Sequence, residues 1–188
     1  MSSESRLCVV VAAILLDACN MVLSETPMFT EADRGAIAPK NGVWVNDDEE
    51  CRFDSSRSES DWPQCATWVI VRGLGEKIIL SDGKGQTEQF VALLSGDDPT
   101  ILQAHWVDTA KDSRAYYGFY GVEPHDAGSD GRFSAASMWG VDCGNQNQGS
   151  SEIQPFPGIT PECRPTSRDA IRSAAKLSRK ADDITQWR

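Results

Sequence analysis

From Gly42 onward the chain is a succession of short apolar runs, each broken within a few residues by Gly, Asp or Pro. That punctuation constrains the fold more than any other feature. It leaves no room for the long 3.6-period stretches of a helical bundle, or for the helix that a βαβ unit requires between its strands. The spacing predicts strands near 43–45, 66–72, 77–80, 87–94, 101–107, 114–122 and 132–141. Gly73-Leu74-Gly75, Asp82-Gly83-Lys84-Gly85, Gly96-Asp97-Asp98-Pro99 and Gly128-Ser129-Asp130-Gly131 separate them, supplying the backbone angles that tight turns need. The expected fold class is mainly β: an antiparallel meander, as a curled sheet or small barrel, followed by one C-terminal α-helix. Leu102, Ala104 and Trp106 alternate with Gln103 and His105, the pattern of a half-buried strand with Gln103 on its polar face. Gly118 and Gly121 interrupt an aromatic strand and mark a bend or a close approach of another backbone.

The helix is expected from a cap at Thr166 or Ser167 to about Asp182, with Asp169 in its first turn complementing the dipole. Ala170, Ala174, Leu177, Ala181 and Ile184 recur at helical spacing. So shallow a stripe fits packing on the sheet better than insertion into a membrane surface. Trp187 follows as a final contact. Between Cys143 and the helix the composition turns to Gly, Asn, Gln and Ser, then to Pro155, Pro157, Pro161 and Pro165, which predicts a long irregular connection.

The N-terminus carries a different message. Leu7 to Leu16 is an unbroken apolar run, too short to span a bilayer but of the length found in a secretory signal. It ends in Leu16-Asp17-Ala18-Cys19. Leu16, Ala18 and Cys19 resemble the bacterial lipobox, which implies a signal peptide over 1–18, a diacylglycerol on Cys19 and attachment to the membrane through that lipid. Asn20, where an Asp would signal inner-membrane retention, implies the outer membrane. An ordinary secretory peptide cut after Ala18 or Ser24, releasing a soluble protein, is the alternative. Residues 19–41 are polar and interrupted by Pro27 and Pro39, and read as a tether whose Met28-Phe29 pair can dock on the domain. Residues 42–188 then form a single β domain.

Beyond Cys8 and Cys19, the cysteines Cys51, Cys65, Cys143 and Cys163 remain, an even number. In an oxidising compartment they predict two disulfides, with three connectivities open; Cys51–Cys65 and Cys143–Cys163 close the shortest loops. The paired short spacings of a zinc site are missing. A formal charge of −10 over 188 residues argues against nucleic acid, whose binding draws on Lys and Arg.

No residue is assigned a catalytic, cofactor-binding or metal-binding role. His105 and His125 are the only histidines, and neither lies in a recognisable motif. Asp47-Asp48-Glu49-Glu50 reads as a solvated loop. The stretch from Asp126 to Gly131 lacks the ligand alternation of an EF-hand, and Gly73-Leu74-Gly75-Glu76-Lys77 lacks the second half of a phosphate loop.

Gly42-Val43-Trp44 on the first long strand is similar to the start of lipocalins, a resemblance that implies a closed barrel able to carry one small apolar ligand. As a whole the chain resembles the small lipoproteins of Gram-negative bacteria: an export signal, a disulfide-bonded β domain and no catalytic motif. The expected role is therefore that of an envelope protein that binds another protein or supports assembly, with the lipocalin-like carrier as alternative.

Overall fold

The computed structural model describes residues 20–45, 52–58, 61, 68–72, 77–81, 87–96, 98–106, 116–146, 152–180 and 184–187. Two very short strands, β1 (Leu23–Ser24) and β2 (Ala38–Pro39), precede the meander. The meander runs through β3 (Gly42–Val45), β4 (Trp68–Arg72), β5 (Lys77–Ser81), β6 (Thr87–Ser95), β7 (Thr100–Trp106) and β8 (Tyr117–His125), each antiparallel to the one before. After β9 (Arg132–Phe133), β10 (Ala135–Gly140) adds to β8, and β13 (Thr185–Trp187), at the chain's end, adds to β10. The strands expected from the turn spacing are thus present, in a nine-stranded sheet.

The sheet is open, with β3 and β13 at its edges, so the closed barrel implied by Gly42-Val43-Trp44 is not formed. It is curled instead. The lead-in to β3 pairs in parallel with the lead-in to β10, β2 against β9, although β3 and β10 lie near opposite edges. Trp44 stacks edge-on against Phe133 with ring centroids 5.5 Å apart. Leu94, Leu102, Val122 and Ala136 pack beside them, with Tyr120, Met138 and Trp187 at the border. This fills the concave face with side chains. Burial of the Tyr120 phenol there raises its pKa above the ordinary tyrosine value, because the phenolate would lose its hydration.

The convex face is covered by the helix α1 (Arg168–Ser178) and by the N-terminal segment. Ser167 caps α1 by accepting a bond from the Ala170 N–H. Its buried face is Ala170, Ile171, Ala174, Ala175 and Ser178, whereas Leu177 is 51% exposed. The stripe is therefore rotated from the expected one: Ile171, not Leu177, supplies the apolar knob. Ser178 is tolerated inside because its hydroxyl donates to the Ala174 carbonyl and accepts from the Asp142 N–H, both at 2.8 Å. No helix among the described residues is long and apolar enough to cross a membrane.

Residues 20–41 are not a tether. Val22 and Phe29 are fully buried, β1 pairs with the start of β8, and Gly35 donates to the Leu94 carbonyl at 2.9 Å. Two buried apolar side chains of this size supply about 1.5–3 kcal/mol each. The polar counterpart is Gln103, only 5% exposed on β7. Its Oε1 accepts from the Met28 and Phe29 N–H groups at 2.8 and 2.9 Å, and its Nε2 donates to the Phe29 carbonyl at 3.0 Å. Gln103 thus reads backbone across the sheet rather than facing water. Phe29 completes the latch edge-on to Phe119, with ring centroids 6.3 Å apart.

The expected irregular connection after Cys143 is also organised. It contains the hairpin of β11 (Gly144–Gln146) and β12 (Ile153–Pro155), and it contributes Phe156 and Ile159 to the convex-face core. Cys143 and Cys163 are joined in a disulfide, their Cα atoms 4.9 Å apart. Cys19, Cys51 and Cys65 lie outside the described residues.

Candidate functional site

The sequence features that speak to function converge at one end of the sheet, where the segment following Cys19 meets the disulfide. The Asn20 carbonyl accepts from the Cys143 N–H, and the Asn20 side-chain amide reaches the Gly144 carbonyl at 3.4 Å. Met21 bridges to Asp142, Val22 donates to the Val141 carbonyl at 2.8 Å, and Leu23 donates to the Cys163 carbonyl at 3.1 Å. β1 occupies the place beside β8 that β10 vacates after Gly140, so the chain enters the domain as part of the sheet.

The disulfide borders this entry, both of its cysteines bonding to the segment through their backbone. Cys163 sits in a left-handed conformation, φ 60°, at a turn closed by its own N–H to the Thr160 carbonyl. That conformation aims its carbonyl at Leu23. Gly144 lets the two strands of the hairpin approach closely, since a Cβ there would overlap the Gln154 backbone. Two ion pairs lie around this end: Asp142 with Lys180 at 3.4 Å and Glu25 with Arg164 at 3.2 Å.

The two histidines do not come together. His105 stacks on its cross-strand neighbour Tyr117, ring centroids 4.6 Å apart, near the end of the sheet where β1 enters. His125 is at the opposite end of β8, about 26 Å along the strand at 3.3 Å per residue. Its Nε2 lies 2.7 Å from the Ser137 hydroxyl, and that hydroxyl donates to Gln186 Oε1 at 3.0 Å. The serine proton is thus directed to the glutamine and not to His125 Nε2. A nucleophilic serine needs the reverse arrangement, with histidine accepting the proton and the hydroxyl open to substrate; Ser137 is 4% exposed. The trio fastens β13 to β10 and β8.

The Asp126 to Gly131 stretch is a hairpin turn, in which Asp130 Oδ1 accepts from the Arg132 N–H at 3.0 Å. Asp47 to Glu50, and residues 73–76 of the glycine-rich stretch, lie outside the described residues. Among the described residues no cluster of His, Cys, Asp and Glu could hold a metal ion.

Sequence reasoning singled out no cleft, but a shallow open one of about 280 Å³ lies between Pro99, Glu123, Trp139 and Arg179. The Arg179 guanidinium lies over the Trp139 indole, 5.3 Å from the ring centroid, and pairs with Glu123. Its one cation is thereby engaged, and no histidine lines the cleft to activate the Thr100 hydroxyl there. These residues come from a turn, two strands and a helix end, so no local motif announces the cleft.

Asp33 also joins the N-terminal segment to α1. It accepts from the Thr30 backbone N–H at 2.8 Å and from the Thr30 hydroxyl, and it pairs with Arg168. These bonds, led by the backbone one, hold its carboxyl below the ordinary aspartate range.

No protein-family model matches the chain, and no curated protein or solved structure is similar to it.

Proposed function

We propose that the chain is a lipid-anchored protein of the Gram-negative cell envelope, held on the periplasmic side of the outer membrane, whose β domain binds another envelope protein or supports envelope assembly. The observation that carries this reading is the junction at Asn20. A lipobox-like Leu16-Asp17-Ala18-Cys19 leads directly into a segment held beside a disulfide. Structural disulfides belong to oxidising compartments, so the bond between Cys143 and Cys163 and the export signal argue for the same place.

Among the described residues the His125–Ser137 pair is buried, with the serine proton given to Gln186, and this favours binding over turnover. The concave face, which a carrier would use for its ligand, is occupied by Trp44, Phe133 and their neighbours, so the carrier alternative is not taken up.

Fractionation of a bacterial host tests the anchor. The wild-type chain is expected in the membrane pellet, resistant to high salt and released by detergent, with Cys19→Ala in the soluble fraction. A soluble wild type, or a Cys19→Ala variant that stays with the membrane, would refute it.

A further inference from the structure

A lipoprotein domain usually has slack between its lipid and its first ordered residue; here there is none. Asn20 is bonded to Cys143 and Gly144, and residues 21 to 24 continue without a break into the sheet. A single peptide unit, about 3.8 Å from Cα to Cα, separates Asn20 from Cys19. We infer that, once Cys19 is acylated, the β domain lies flush on the bilayer, with its β11–β12 hairpin at the headgroups and the turn of residues 126–131 pointing away. This rests on the anchor proposed above and adds an orientation to it.

Two further observations fit that orientation. First, an acidic domain pressed against anionic headgroups is repelled over roughly a Debye length, about 8 Å at physiological salt, unless the apposed surface is neutral. The chain as a whole carries −10, yet neither β11 (Gly-Asn-Gln) nor β12 (Ile-Gln-Pro) holds a charge. Around them Asp142 faces Lys180 and Glu25 faces Arg164, and the exposed acids there are Glu162 and Glu152, the residue before β12. Second, β8 runs from Gly118, the partner of Leu23, to His125, a rise of about 23 Å at 3.3 Å per residue. The turn that follows, with Asp126 and Asp130 exposed, is thus carried to the far end of the domain. A protein partner would meet that end, while the hairpin end is closed to it.

The test places a fluorophore at each end of the full-length chain. p-Azidophenylalanine replaces Asn145 or Ser129, both exposed, and is coupled to an environment-sensitive dye. The purified protein is then reconstituted into phosphatidylethanolamine and phosphatidylglycerol vesicles containing headgroup-quencher lipid. Intact mass first establishes that each preparation is acylated; an unacylated product overturns the anchor itself. With acylated protein, the expected result is at least a twofold loss of emission at position 145 and no loss at 129. Equal quenching at the two positions, or none at 145, would overturn the flush orientation while leaving the anchor standing. A third preparation carries a 20-residue Gly/Ser linker between Cys19 and Asn20, which gives a reach of about 25 Å. It should lose the quenching at 145. Quenching that survives the linker would mean that lipid affinity, not the short leash, holds the hairpin down, and would overturn the inference as well.

Discussion

Replacing Gln103 with Met keeps the length of the side chain and removes its three bonds to the N-terminal segment. The Met28 N–H is only partly buried and can find water. The Phe29 N–H and carbonyl cannot while the segment stays docked, because Phe29 is 1% exposed. Two stranded backbone groups cost about 1–3 kcal/mol each, or about 2–6 kcal/mol together. Undocking limits the loss, since it exchanges that cost for exposure of Phe29 and Val22, again about 1.5–3 kcal/mol each. The two routes overlap from about 3 kcal/mol upward, and the conformational entropy that an undocked segment regains holds the loss near that lower end. For a chain of this size that corresponds to a fall in Tm of about 6–12 °C, read by calorimetry or circular dichroism. Hydrogen exchange separates this latch from a general loss of packing. The Met28 and Phe29 amides should lose about two orders of magnitude of protection, since each 1.4 kcal/mol is tenfold. A Tm within 2 °C of wild type, with those amides still protected, would refute the reasoning.

Other perturbations probe the remaining joints. Gly121 lies opposite Trp139 in the β8–β10 register, and a methyl group there would come within 2.6 Å of the indole Nε1, which is held by the Ala175 carbonyl at 2.8 Å. Gly121→Ala should therefore destabilise by about 1–3 kcal/mol in a urea titration. Replacing Cys143 and Cys163 together with Ser removes a cross-link spanning 20 residues and should cost about 3 kcal/mol, with the largest exchange increase in residues 20–24. Tyr120 holds its proton more tightly when folded than when unfolded, so its contribution is complete below the unfolded value near pH 10 and is lost as pH rises through the higher folded value. Stability measured between pH 9 and 11.5 should fall less steeply in Tyr120→Phe than in wild type.

The meander was legible because β3 to β8 and β10 are long enough to show alternation and are separated by turn residues with specific backbone demands. What escaped the sequence depended on contacts over long separations. Gln103 sits in an alternating strand where a polar residue reads as solvent-facing, and only the return of residues 28 and 29, more than 70 positions earlier, buries it. The strands β1 and β13 have two and three residues, too few for any periodicity to register. On α1, counting from Ala170 through Leu177 followed an allowed helical spacing and Ala170 and Ala174 are buried, but the buried face turns towards Ile171, Ala175 and Ser178 and leaves Leu177 outside. The likeness of Gly42-Val43-Trp44 to a lipocalin start implies a barrel, whereas the curled sheet that the turn spacing equally allows is what brings Trp44 to Phe133. The lipobox-like residues and the Cys143–Cys163 pair were visible because both are local or countable. The docking of residues 20–24 beside that disulfide exists only in the fold.

The central claim, an exported chain anchored at Cys19 and oxidised at Cys143 and Cys163, is tested most directly by the non-reduced intact mass of the protein isolated from a bacterial membrane fraction, before and after reduction and alkylation. The account predicts a chain beginning at acylated Cys19 in which Cys143 and Cys163 take up alkylating reagent only after reduction. A chain that keeps residues 1–18 or carries no acyl group, or one whose Cys143 and Cys163 react without reduction, would contradict it.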